Sequence, residues 1–92
     1  MIRSFADADT ERLFLSGKSR RFGSIMAVVR RKLQLLDNTP RYDDLRVLPG
    51  NRLESLNGDR RGQHSVRIND QYRICFRWDE GDAYRVEIAD YD

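Results

Sequence analysis

In the last third of the chain, Tyr72, Ile74, Phe76 and Trp78 fall on every second residue, with Arg73, Cys75 and Arg77 between them. After the acidic turn "DEGD" the alternation resumes through Tyr84, Val86 and Ile88 against Arg85 and Glu87. A period of two is the signature of strands with one buried side. It predicts two strands, "QYRICFRW" and "AYRVEIADY", joined as a hairpin. Upstream, "QHSVRI" repeats the pattern, the "ND" that follows it reads as a tight turn, and "NRLESL" with the Asn-Gly signal in "NGDRRG" suggests a further strand and turn. Short turns between consecutive strands imply an antiparallel meander.

Before Pro49-Gly50 the period is helical. Phe22, Ile25, Met26, Val29, Leu33 and Leu36 form a stripe, with Ser24, Arg30, Arg31 and Gln34 off it. Met26 and its apolar neighbours read as core. "DADTERLFLSG" predicts a shorter helix, with Asp7 or Asp9 as cap and Gly17 as its stop. "IRSF" reads as an opening strand that pairs with the meander or lies at its edge, and "DNTPRYDDL" breaks the second helix at Pro40 and leaves room for one more turn. The expected fold is α+β: a small antiparallel sheet with two or three N-terminal helices packed on one face. The chain, residues 1–92, is expected to be one domain.

Alternation then assigns the strand faces. Val66, Ile68, Tyr72, Ile74, Phe76, Trp78, Tyr84, Val86 and Ile88 go to the helix-covered side. Ser65, Arg67, Arg73, Cys75, Arg77, Arg85, Glu87 and Tyr91 go to the open side. That side carries four arginines against one carboxylate, and like charges on neighbouring strands repel. A sheet that tolerates this is suited to an anion such as a polynucleotide backbone, although a wet face neutralised by Glu87 and the turn acids accounts for the pattern equally well.

Charge sharpens this picture. Net charge is +2, but residues 1–36 hold eight Lys/Arg against three acids and residues 37–92 nine against twelve. Only Lys18 and Lys32 are lysines; the other fifteen cations are arginines, which grip phosphate bidentately and stack on bases. Solvated faces of an arginine-rich chain would give the same composition. No apolar run could span a bilayer, "MIRSFADADT" has no apolar core of a secretion signal, and the single cysteine suits a reducing compartment. A cytoplasmic protein is expected.

Cleaving an RNA phosphodiester requires a base for the 2′-hydroxyl proton, an acid for the leaving oxygen and a cation for the charge on phosphorus. Arginine, a phenol and carboxylates can fill these roles. The chain has no His/Cys cluster with zinc spacing, no glycine-rich phosphate loop and no Ser-His-Asp arrangement, so neither metal nor cofactor is expected. His64, alternating with Val66 and Ile68, reads as a packed or edge residue, and Cys75 as a passive thiol.

"MIRSF", "SGKSRRF", "LPGNRLESLNGDRRGQHSVRINDQYRICFRW" and the terminal "DY" with one further residue resemble HigB-type toxins of the RelE superfamily, in bacterial type II toxin–antitoxin systems. The resemblance spans essentially the whole chain. It implies a RelE-like fold and a metal-independent endoribonuclease that enters the ribosomal A site, cuts mRNA and inhibits translation. It also implies a HigA-type helix-turn-helix antitoxin as partner and, through that antitoxin, operator DNA. By the same resemblance, Arg73 would brace the scissile phosphate and Asp90-Tyr91 would match the family's terminal pair. Many relatives have histidine where this chain has Asp92 and Glu54, and lysine where it has Asn57. General base and acid stay open among Glu54, Asp90, Tyr91 and Asp92, with Arg67, Arg77, Arg85 and Asn57 expected on the RNA. The alternative is a catalytically attenuated module that binds RNA, the ribosome or the antitoxin through the same face.

Overall fold

A computed structural model describes residues 1–47 and 50–90. In chain order they form α1 (Ala8–Ser16), α2 (Met26–Asn38), the single turn α3 (Asp44–Val47), and strands β1 (Glu54–Ser55), β2 (His64–Arg67), β3 (Tyr72–Asp79) and β4 (Asp82–Asp90). The strands make one antiparallel sheet in the order β1-β2-β3-β4. This is an α+β fold with the helices gathered before the sheet in sequence, in agreement with the fold class expected from the pattern.

The helical stripe packs as its spacing dictates. Phe22, Val29, Leu33 and Leu36 are fully buried with Leu13 of α1 and Leu45 of α3, against Val66, Ile68, Ile74, Phe76, Val86 and Ile88 of the sheet. Burying one such side chain contributes about 1.5–3 kcal/mol. Gly17 ends α1 in the left-handed region at φ 71°, its amide bonded to the Leu13 carbonyl at 2.9 Å. Of the two cap candidates, Asp7 takes the N-cap position and Asp9 lies inside the first turn, but no side-chain cap bond forms at Asp7. The long helix begins at Met26 after a 3-10 turn, Gly23–Ile25, rather than at Phe22.

Ile2 and Phe5 bridge Ala83 and Val86 in parallel, so the opening segment covers the outer edge of β4. Farther along that edge the Ile88 amide donates to the buried Thr10 hydroxyl at 3.2 Å. The segment read as "NRLESL" contributes only Glu54 and Ser55 as strand. Asn51 explains part of this: it is buried, and it serves as a junction rather than a ladder residue. Its carbonyl accepts the Arg67 amide (2.6 Å), its side-chain amide donates to the Leu45 carbonyl (3.1 Å), and its Oδ1 accepts from Lys32 (3.1 Å).

The alternation in β4 breaks once. Cys75 pairs with Glu87, but Arg77 pairs with Tyr84, which leaves one extra β4 residue between them. Arg85 stands at that bulge with φ 52°. The bulge flips the face assignment beyond it. Ala83, not Tyr84, enters the core, and Tyr84 moves to the side of Arg77. Arg85 is exposed, opposes no residue of β3, and has its amide held by the Ser4 hydroxyl at 2.8 Å.

Candidate nucleic-acid interface

On the side of the sheet away from the helices, the register builds two rows. One runs Glu54, Ser65, Cys75, Glu87; the next runs Arg67, Arg73, Ala89. Arg67 and Arg73 therefore stand directly opposite each other, the least favourable placement for like charges in a ladder. Arg67 is relieved by an ion pair with Asp70 in the turn. Arg73 is half-buried on this face, not sealed in the apolar core, and its positive charge acts on the Cys75 thiol two residues along the strand.

The face is less open than alternation implies. Ser65 and Cys75 are 2% and 0% exposed. Their cover comes from the connection between β1 and β2. Arg60, in its 3-10 turn Gly58–Arg60, crosses the face to Glu87 on β4 with an Nη1–Oε1 distance of 2.5 Å, and the same nitrogen donates to Gln63 at 3.0 Å. Arg77 lies against Gly62 so closely that an added Cβ would meet its guanidinium at 2.9 Å. Arg60, Arg73 and Glu87 thus lie around Cys75. Burial pushes its thiol pKa up, more than Arg60 and Arg73 draw it down, so the thiol stays protonated and passive.

The sequence-derived candidates fall into three groups. Arg67, Arg73 and Arg77 share this face. Glu54 lies exposed on β1, two strand spacings or roughly 10 Å from β3; it lines a shallow cleft with Arg52, Arg67 and Asp70. Asn57 is exposed just before the turn that carries Arg60. Two candidates sit elsewhere. Arg85 is taken out of the rows by the bulge, and Asp90 pairs with Tyr72, which places it on the side of Tyr72 rather than of Arg73. Gln71 donates to the Asp90 carboxylate at 3.2 Å. Tyr91 and Asp92 lie outside the described residues.

Three contributors escaped the sequence reading. Arg60 lay in a segment read only as a turn, although "DRRG" announced two arginines. Lys32, an off-stripe position of α2, donates to the Arg67 carbonyl at 2.5 Å and to Asn51, tying the helix layer to the end of β2. Burial, then Arg67 and Arg31, lowers its pKa. Asn51 had no pattern signal at all.

His64 is packed in an aromatic group with Tyr42, Phe76 and Trp78. Its Nδ1 lies 2.9 Å from the Tyr42 hydroxyl and 3.3 Å from that of Ser55. A second cationic surface lies beside α1, where Arg12, Lys18, Arg20 and Arg21 line a cleft with Asp9 and Ser19; Asp9 pairs with Arg12 at 3.4 Å and with Arg21 at 3.9 Å. Among the described residues no group of three or more His, Cys, Asp or Glu is arranged to hold a metal ion, and no helix is long and apolar enough to cross a membrane.

A family model described as RelE-like toxin of type II toxin-antitoxin system HigB matches residues 3–91. Toxin HigB-1 of Vibrio cholerae serotype O1 is 40% identical over 90 residues, covering 96% of this chain and 95% of that protein. An uncharacterised protein of Haemophilus influenzae is 30% identical over 65 residues, 71% of this chain and 64% of its own length. The fold, the match across nearly every residue and the 40% identity agree, and the chain belongs to the HigB-like group of RelE-like toxins of type II toxin–antitoxin systems, whose members are paired with an antitoxin.

Proposed function

We propose that the arginine face is the working surface of a ribosome-dependent endoribonuclease that cuts mRNA in the A site and so halts translation. The observation that carries this reading is the direct opposition of Arg67 and Arg73, with Arg77 on the same face of β3. Such a row is unfavourable by itself and becomes favourable against a phosphate backbone.

In this reading a general base removes the 2′-hydroxyl proton and the freed oxygen attacks the adjacent phosphorus. A 2′,3′-cyclic phosphate forms, the bond to the 5′-oxygen breaks, and a general acid protonates that oxygen. Arg73 holds the non-bridging oxygens and balances the charge that grows on them, the role a metal ion would otherwise fill. Glu54, exposed beside Arg67, is a carboxylate available for the base role, and Asp90, Tyr91 and Asp92 are the other acid and base candidates. Arg67, Arg77 and Asn57 position the strand. The ribosome adds alignment, which can lower a barrier by about 7–11 kcal/mol in favourable cases. The antitoxin is a HigA-type helix-turn-helix protein that neutralises the toxin and carries the complex to operator DNA.

One observation favours a second reading, a module that binds RNA or the ribosome without cutting. Asp90 lies on the side of Tyr72, away from Arg73. Adding the purified protein to mRNA alone and to a translating extract, with primer extension on both, separates the two. The nuclease reading expects discrete cuts in register with codons in the translating reaction only. Arrested translation with full-length mRNA would contradict it and support the binding module.

A further inference from the structure

Glu87 lies with Arg60 and Arg73 around Cys75, and it does not face Arg73 across the ladder. It pairs instead with Arg60, which reaches it from another connection of the chain. Both side chains are about one-third exposed, at 34% and 27%. A partly exposed pair of this kind contributes little to stability, because water screens it and two long side chains must be ordered to make it. Its position has a larger consequence. The pair lies across the face next to Arg73, where a strand gripped by Arg67 and Arg73 would pass.

We infer that Arg60 is a phosphate-binding residue of this face and that Glu87 occupies its guanidinium until a phosphate of the RNA strand displaces it. This inference rests on the reading of the face as an RNA surface. A carboxylate and a phosphate both present two oxygens to a guanidinium fork, so they compete for the same donors. Exchange leaves Arg60 paired and returns the Glu87 carboxylate to water. The free toxin thereby keeps its cationic face partly neutralised, and each binding event must overcome one internal ion pair. The pair acts as a threshold against weak or non-specific anions.

The test is binding of a short single-stranded RNA, fully 2′-O-methylated so that it cannot be cut, measured by fluorescence anisotropy across a salt series. Glu87→Gln keeps an oxygen for Arg60 but removes the charge. It is expected to bind about fivefold to tenfold tighter at low salt, with a log–log salt slope close to that of the wild type, because Arg60 meets one phosphate in both complexes. Arg60→Gln alone is expected to weaken binding and flatten the slope by about 0.7, one phosphate contact, and the Glu87→Gln gain is expected to vanish in the double variant. The inference is overturned if Glu87→Gln binds no tighter, if its gain survives without Arg60, if Arg60→Gln binds like the wild type, or if polyglutamate gains affinity as RNA does. Arg73→Ala separates the two levels. Equal RNA binding by wild type and Arg73→Ala removes the RNA reading and this inference together. Arg73-dependent binding with no effect of Glu87→Gln removes only the inference.

Discussion

Burial decides the chemistry of His64. Desolvation among Tyr42, Phe76 and Trp78 lowers its pKa from the ordinary value near 6.5, so the unfolded chain takes up the proton at a higher pH than the folded one. Its contribution to stability is complete above about pH 6.5 and is lost as pH falls from there through the folded value. Between pH 7.5 and 5 the wild-type Tm is therefore expected to fall by more than that of His64→Phe, as thermal melts across that range would read. Alternation with Val66 and Ile68 predicts a packed or edge histidine, and His64 is packed against Tyr42 and Phe76. Arg60 was not readable in the same way. A strand residue inherits its face from the ladder, whereas a turn residue acquires a partner only from the path of the loop, and nothing in "NGDRRG" fixes that path.

Elements followed the pattern where the backbone was regular. The stripe from Phe22 to Leu36 and the alternation of β3 gave the helix face and the core side, and the Glu80-Gly81 turn, with φ 48° and 86°, lies within the segment read as "DEGD". The pattern failed at one residue of β4. A bulge inserts a single position without altering the polar and apolar alternation that surrounds it, so Tyr84 and Ala83 exchanged sides unannounced. The left-handed conformation of Arg85 costs on the order of 1–3 kcal/mol for a residue with a Cβ, and glycine avoids this at an entropic cost of roughly 0.5–1 kcal/mol. Arg85→Gly is thus expected to raise Tm by roughly 2–8 °C, with RNA binding read separately on the same protein. A lower Tm would show that the arginine side chain holds the bulge in place.

The whole molecule depends on one edge. β4 would end the sheet with unpaired backbone groups, but residues 1–6 cover it: Arg3 and Ala6 amides donate to Ala83 and Val86 at 2.7 and 2.9 Å, and Ala83 and Val86 amides donate back to Met1 and Ser4 at 2.9 and 3.1 Å. Ile2 is also tied to α2 through Asp37 at 2.8 Å. Removing residues 2–6 is expected to lower Tm by more than 10 °C, at roughly 1 kcal/mol per lost bond and 4–8 °C per kcal/mol, and to promote self-association through the bared edge. Monomeric behaviour of the truncated chain by sedimentation would contradict this role.

The meander order and the helix layer were legible because short turns leave few topologies. The parallel direction of the opening segment was not, since four residues of alternating pattern fit either direction. At this scale the cations also matter together, because the arginine face and the basic cleft beside α1 both favour a polyanion. The most direct measurement is mRNA cleavage in a translating extract by wild type and Arg73→Ala at equal concentration. Cleavage by Arg73→Ala is expected to fall by about 10²–10³-fold, the usual cost of losing one charge-stabilising donor, with the Tm of the variant close to that of the wild type. Cleavage by Arg73→Ala at the wild-type rate would contradict it.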